Sequence, residues 1–374
     1  MGAIFTPGLT VTPDHIVLKD RRLPLKGEVA VQVGDTVTAE QVVARTDLPG
    51  KVYPVNVANQ LGVDAARLKE FMLKEVGDSV TEGELVAKTP GLWGFFKSEV
   101  AAVVGGTIES ISGVTGMVIY QAHPIPVEVE AYVNGKVVEV HEGEGCVVQT
   151  AAALIQGIFG LGGEVRGDIA VAVDSASTEL LPEHLLPEHA GKVVVGGCYA
   201  GIDALRRAVE VKAAALIVGG FDYDEIKELL GYEVGVAITG GEDLGTTLVV
   251  TEGFGRIDMA PATFKLLKSL EGRRASVNGA TQIRAGVIRP EVVVTHDDHA
   301  VPDERWEEPE PQGIAIGDLI RGIRAPWFGR IGTVKSLPVD PLQLPSGTTV
   351  RVLEVEFDGE SAMLPRANVE SIDG

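Results

Sequence analysis

Apolar and polar positions over the first 150 or so residues alternate in short runs broken by glycine, the period-two pattern of half-buried strands joined by tight turns. Two of these runs are near copies. Val33-Gly34-Asp35-Thr36-Val37-Thr38-Ala39-Glu40-Gln41-Val42-Val43-Ala44 returns 43 residues later as Val76-Gly77-Asp78-Ser79-Val80-Thr81-Glu82-Gly83-Glu84-Leu85-Val86-Ala87. Each copy reads as a Gly-Asp turn, a short strand, a polar gap and a second strand. Between them Asp64 precedes Leu68, Phe71 and Met72 at helical spacing, which predicts one short helix with an Asp N-cap among the strands. Residues 131–140 and 143–148 repeat the order of strand, glycine turn and strand.

From about residue 168 the rhythm changes. Unbroken apolar runs predict strands over 169–173, 192–195, 214–218, 234–238 and 248–251, alternating with helices over 202–211, 224–230 and 260–270. In the first helix Leu205, Ala208 and Val209 share the expected apolar face. This order predicts a small, mostly parallel sheet covered by helices. Four strands end in glycine: Gly196-Gly197, Gly219-Gly220, Gly240-Gly241 and Gly253-Phe254-Gly255. Ligands of open α/β sheets collect at the carboxyl ends of strands, although short loops there also need glycine for conformational reasons alone. The candidate ligand set is therefore Gly196, Gly197, Gly219, Gly220, Gly240, Gly241, Glu242 and Asp243. Asn278, Gln282 and Arg284, in the polar segment 276–284, join it. The glycine-densest stretch, 155–167, lacks both a Lys-Ser/Thr ending and a strand–GxGxxG–helix context. It reads as tight turns where strands pass closely, with a phosphate cradle as the alternative.

The duplicated hairpin resembles those of barrel-sandwich hybrid domains, which include biotinyl and lipoyl carriers and their unmodified relatives. The resemblance extends over roughly residues 25–170. It implies a β scaffold that serves as carrier, spacer or docking surface. Lys97 stands near the place of a carrier lysine, but Phe96 and Ser98 flank it. Biotin carriers have Met on both sides there, and lipoyl carriers have Asp before and Ala after. An exposed lysine at a hairpin tip is the reading that fits these neighbours. At the other end of the chain, 316–334 has a Gly-Asp opening, a Pro-aromatic turn at Pro326-Trp327-Phe328, and Gly329-Arg330-Ile331-Gly332 before Val334. It looks like a KOW motif, and further strands over 350–357 and 361–364 would complete a small SH3-like barrel. KOW domains bind RNA or protein, and Arg321, Arg324, Trp327 and Arg330 would supply a basic–aromatic surface.

The expected organisation is multidomain, β-rich plus α/β. It comprises a barrel-sandwich-like region over 1–167, an α/β domain over 168–295, an acidic proline-rich linker over 296–312 and a KOW/SH3-like barrel over 313–374. At the start of the linker His296, Asp298 and His299 could ligate a metal. The acidic, proline-rich surroundings favour a solvated connection instead.

Composition narrows the function classes. The 374 residues carry 53 acidic against 32 basic side chains, a net charge of −21, which repels nucleic acid unless a basic face is segregated. No apolar run reaches the ~18 residues of a membrane span, and no basic-then-apolar leader opens the chain, so a cytoplasmic location is expected. Cys146 and Cys198 each sit in an apolar strand context and read as buried core thiols. None of the seven histidines falls in an HExxH or Ser/His/Asp pattern. No catalytic set and no cofactor are therefore expected. The leading expectation is a non-catalytic scaffold or accessory protein offering β surfaces to a protein partner, with a small-ligand site in the α/β region. The alternatives are a nucleic-acid-associated factor acting through the KOW-like region, and an enzyme or metabolite sensor at the glycine-lined strand ends.

Overall fold

The alternating pattern resolves into four separate hydrophobic cores, the first two of which share one large sheet. A computed structural model describes residues 9–90, 98–230, 244–281, 288–296, 305–306, 314–322, 327, 330–338, 341–343, 349–357 and 359–371.

The large sheet has eleven strands. In chain order they are β1 (Val11–Arg22), β2 (Thr36–Val37), β3 (Gly135–His141), β4 (Gly145–Gln156), β5 (Phe159–Leu161) and β6 (Glu164–Val171). Then follow β7 (Val193–Val195), β8 (Ala215–Phe221), β9 (Thr247–Phe254), β10 (Arg274–Asn278) and β11 (Glu291–Thr295). Across the sheet the order is β5-β9-β8-β7-β6-β10-β11-β4-β3-β2, with β1 paired along β4. Strands β6, β7, β8 and β9 run parallel, as the β–α–β alternation predicts. They do not form a sheet of their own. The first five residues of β6 pair antiparallel with β10, and the next three pair parallel with β7. The change of rhythm near residue 168 therefore marks a change of pairing partner within one strand.

Helices α1 (Ile202–Val211), α2 (Tyr223–Leu230) and α3 (Pro261–Ser269) stand close to their predicted places. The buried face of α1 is Ala204, Leu205, Ala208 and Val211, leaving Val209 exposed. The first core lies between α1, α3 and the parallel strands. Strand β4 is buried along nearly its whole length because both its faces are covered. Ala153 and Ile155 enter the first core, while Cys146, Val148, Ala152 and Leu154 enter the second.

The second core gathers Val17, Val31, Val37, Val43, Tyr132 and Val137. The third gathers Val57, Leu61, Leu68, Val80, Val86, Ile108, Val118 and Tyr120. The two copies of the repeated hairpin thus lie in different cores. The third unit is an insertion within the second. Strand Val42–Leu48 pairs antiparallel with Ile125–Glu130, Leu48 opposite Ile125, and the chain between them builds the third core. At the neck, a Cβ on Gly50 would stand 1.9 Å from the Ala122 carbonyl oxygen, so only glycine lets the outgoing and returning chains pass. The predicted short helix is there in two pieces. Asp64 caps the turn Ala65–Arg67, accepting from the Ala66 N–H at 2.9 Å, and Leu68–Phe71 follows. A further helix, Val57–Leu61, is capped by Asn56 and ended by Gly62 at φ +70°.

The fourth core sits in a five-stranded antiparallel sheet ordered Glu360–Pro365, Val352–Phe357, Ile331–Ser336, Leu319–Gly322, Val369–Ser371. Among the described residues no helix is long and apolar enough to cross a membrane.

Candidate functional site

The glycine pairs after β7 and within β8 lie side by side at the carboxyl ends of the parallel strands, with the Gly219 N–H donating to the Gly197 carbonyl at 2.7 Å. The chain's own backbone covers them. Cys198 N–H donates to Thr178 O at 3.1 Å, Met259 N–H to Ala176 O at 3.2 Å, and Ile257 N–H to Cys198 O at 3.3 Å. A Cβ on Gly197 would come within 2.2 Å of Thr178 O. On Gly219 it would meet Ile257 O at 2.4 Å, and on Gly220 Gly255 O at 1.9 Å. On Gly196 it would press into Leu180 and Val218. These four glycines admit a close backbone crossing, and the space a ligand would need beside them holds carbonyl groups of 175–180 and 255–259. Gly240, Gly241, Glu242 and Asp243 lie outside the described residues.

Above the crossing sits a polar rim that the sequence pattern did not point to. The Tyr199 hydroxyl donates to the Glu225 carboxylate at 3.1 Å. The same carboxylate accepts from the Ile202 N–H, the first of α1, at 2.9 Å, where the positive end of the helix favours a negative charge. The Arg256 guanidinium lies 4.4 Å from the centre of the Tyr199 ring and pairs with Glu179, one of its contacts measuring 3.0 Å. Ser175 Oγ is 2.8 Å from Thr178 Oγ1 and 3.1 Å from Ser177 Oγ. Burial first, then Glu225, pushes the Tyr199 phenol up to about 12. Burial, with Asp258 and Glu179 nearby, pushes the Cys198 thiol up as well. At neutral pH the rim thus offers a neutral phenol and a neutral thiol, not an activated nucleophile. Its members come from four separate elements. The one local signal for them is that Tyr199 and Arg256 each follow closely on a glycine strand end.

The other predicted residues are scattered. Asn278 ends β10 opposite Glu164, at the amino end of β6 and so away from the glycine pairs. Its Oδ1 accepts from the Ala280 N–H at 2.9 Å and closes a turn. Gln282 and Arg284 are outside the described residues, as are Lys97, Asp298, His299 and Arg324. His296 Nε2 is 2.7 Å from the Pro13 carbonyl oxygen, and its backbone N–H donates to Ala151 O at 2.9 Å, tying the end of β11 to the sheet. Among the described residues no group of three or more His, Cys, Asp or Glu is placed to hold a metal ion.

In the C-terminal unit Trp327 stacks on Phe357, centroids 4.7 Å apart and planes 13° apart. Arg330 covers Trp327 at 4.8 Å and lies 3.9 Å from Glu360. Arg321 reaches the α/β unit and pairs with Glu252 at 3.5 Å. Glu252 is only 10% exposed and also accepts from the Ala260 N–H at 2.9 Å.

A second polar cluster, also unforeseen, lies where the second core meets the large sheet. Tyr132 is buried at φ +73°, with Lys19 and Arg21 at 5.7 and 5.4 Å from its ring centre. Lys19 pairs with Glu291, Arg21 grips Glu164 with two bonds of 2.6 and 2.7 Å, and Arg166 pairs with Glu130. Burial, with Glu291 and Glu164 close by, pushes the Tyr132 phenol well up. Each cation faces a carboxylate, so the cluster is a charge-matched junction between units.

The chain matches no protein-family model and no curated protein.

Proposed function

We propose that the chain is a non-catalytic scaffold or accessory protein that displays small β modules to a protein partner. The observation that carries this reading is modular. Three units with separate cores each contain the same Gly-Asp turn, and one of them is inserted in another through a two-strand neck. Each turn holds an exposed β-branched residue, Val33, Val76 and Ile316 at 62%, 57% and 66%. Such an arrangement suits barrel-sandwich-like modules used as platforms and a KOW/SH3-like unit used for docking. The strand-end rim speaks for the same conclusion, since its tyrosine and cysteine are held neutral and its glycines are covered. The nucleic-acid alternative has less in its favour. Arg321 and Arg330 are engaged with Glu252 and with Trp327 and Glu360, on a chain of net charge −21.

The test is to replace residues 51–122 by a short Gly-Ser turn between the paired strands that carry Leu48 and Ile125. Cross-linking mass spectrometry of the native complex then follows. The proposal expects the shortened chain to keep its other cores, and partner cross-links to fall on the β modules and disappear with the excised one. Cross-links confined to the α/β unit, or a turnover lost in Tyr199→Phe, would sink it.

A further inference from the structure

At the end of the parallel strands opposite the glycine pairs, residues 162–165, 212–214 and 244–247 line an open pocket of about 490 Å³. We propose that it is a binding site for a small organic anion, a carboxylate or phosphate on a short apolar body. The inference is independent of the scaffold reading and concerns a different place from the predicted strand-end site.

Three residues on its wall have features that the fold does not require. Gly162 needs to be glycine, with φ +93° and Thr247 Oγ1 only 2.8 Å from where a Cβ would be. Gly163 does not. It is outside the left-handed region, and a Cβ there would meet nothing within 4 Å. A glycine with neither reason leaves bare backbone facing the cavity, as close approach of a ligand demands. Thr246 is 6% exposed, and its hydroxyl has no hydrogen-bond partner. The neighbouring Thr247 hydroxyl, by contrast, donates to Gly163 O at 3.0 Å. A buried polar group left unpaired opposes folding, and a ligand that pairs with it removes the deficit. Lys212 is the third. It ends α1 in the left-handed region at φ 59° and ψ 40°, a place that glycine or asparagine takes without strain. Its backbone duties, capping Ala208 O and Val209 O and accepting from the Gly191 N–H at 2.8 Å, would be done equally by glycine. What lysine adds is an exposed ammonium at the rim.

The charge balance favours an anion. Among the described residues the carboxylate on this wall is Glu164, which is held by both arms of Arg21, so the Lys212 charge is left to act on the cavity. Val165, Ala213, Ala214 and Leu244 supply an apolar remainder to the lining. A few placed polar groups on an otherwise apolar lining, at this volume, is the make-up of a small-molecule site.

The experiment is calorimetric titration of the full chain with inorganic phosphate, butyrate and glycerol 3-phosphate at constant ionic strength. Gly163→Ala, Thr246→Val and Lys212→Gly are titrated beside the parent, and melting temperatures are read on all four. The expected result is saturable one-to-one binding of at least one probe by the parent, with affinity reduced about tenfold or more in each variant. At the same time Gly163→Ala should melt unchanged, and Thr246→Val and Lys212→Gly should melt higher, since each removes a cost that the fold alone does not justify. Phosphate without butyrate binding would assign the headgroup, and the reverse likewise. No saturable heat with any probe, or variants that bind as the parent does, would overturn the proposal.

Discussion

Asp35 and Asp78 occupy the same place in two copies of one turn, each carboxylate accepting from the backbone N–H three residues upstream, Gln32 at 2.9 Å and Glu75 at 2.7 Å. The preceding glycines match in φ, +97° and +95°, and their N–H groups donate at 2.8 Å to Val137 and Ile108. Asp318 repeats the arrangement, accepting from the Ala315 N–H at 2.7 Å after Gly317 at φ +100°. The chemistry explains the recurrence: glycine supplies the left-handed step, and a short carboxylate closes the loop on its own backbone.

Asp78→Ala should therefore destabilise the third core by about 1 kcal/mol, and Gly77→Ala by about 1–2 kcal/mol. Asp78→Asn, which keeps an acceptor, should cost less. Hydrogen exchange at Ile108 and Val118 should report the loss, while exchange at Val137 and Val148 in the second core stays as it was.

The glycine pairs test the meaning of the strand ends. If Gly197 and Gly220 serve close backbone crossing, alanine at either must displace the covering segment, at about 1–3 kcal/mol or more. Urea denaturation should show midpoints well below the parent's for both variants. A ligand-contact role would instead leave the midpoints unmoved and alter only binding.

What could be read in advance follows from range. The Gly-Asp copies, the β–α–β order and the helix α1 depend on neighbours within a few positions, and all are visible in the pattern. Even there Val209 falls on the exposed side, because burial of Val211 and Ala204 turns the apolar face of α1 by part of a turn. The insertion was hidden, since pairing of Leu48 with Ile125 leaves no local mark. Tyr132 lies in a stretch that reads as strand yet takes φ +73°, an unfavourable conformation for an aromatic residue. Distant contacts hold it there, with Ser276 Oγ donating to its carbonyl and its N–H donating to Ala39 O at 2.9 Å. The Tyr199–Glu225–Arg256 rim escaped for the same reason, being assembled from elements that meet only after folding.

Cys146 sets an alkaline limit. It is fully buried in β4, and burial pushes its thiol from an ordinary value near 9 up to about 11. The folded state keeps the proton that the unfolded state gives up, so the contribution is whole below about pH 9 and is lost as pH rises towards about 11. The loss is on the order of 3 kcal/mol. Urea midpoints measured at pH 8 and at pH 10.5 should differ more for the parent than for Cys146→Ala. Iodoacetamide at pH 8 should modify neither Cys146 nor Cys198 in the folded chain and both in urea.

Glu252 and Arg321 join the C-terminal unit to the α/β unit, and their surroundings set what the contact is worth. Their side chains are 10% and 23% exposed, so water screens the pair far less than it screens Arg45 and Glu28, at 60% and 63%. Glu252 also serves the Ala260 N–H just before α3, and that bond survives in Glu252→Gln while the charge attraction does not. A double-mutant cycle with Glu252→Gln and Arg321→Gln should therefore give a coupling of about 1 kcal/mol, little changed by added salt. The same cycle at Arg45 and Glu28 should give a coupling that salt abolishes. Glu252→Ala should cost more than Glu252→Gln, because the Ala260 N–H then loses its acceptor. A coupling of zero between Glu252 and Arg321 would show that the two units are held together by other contacts.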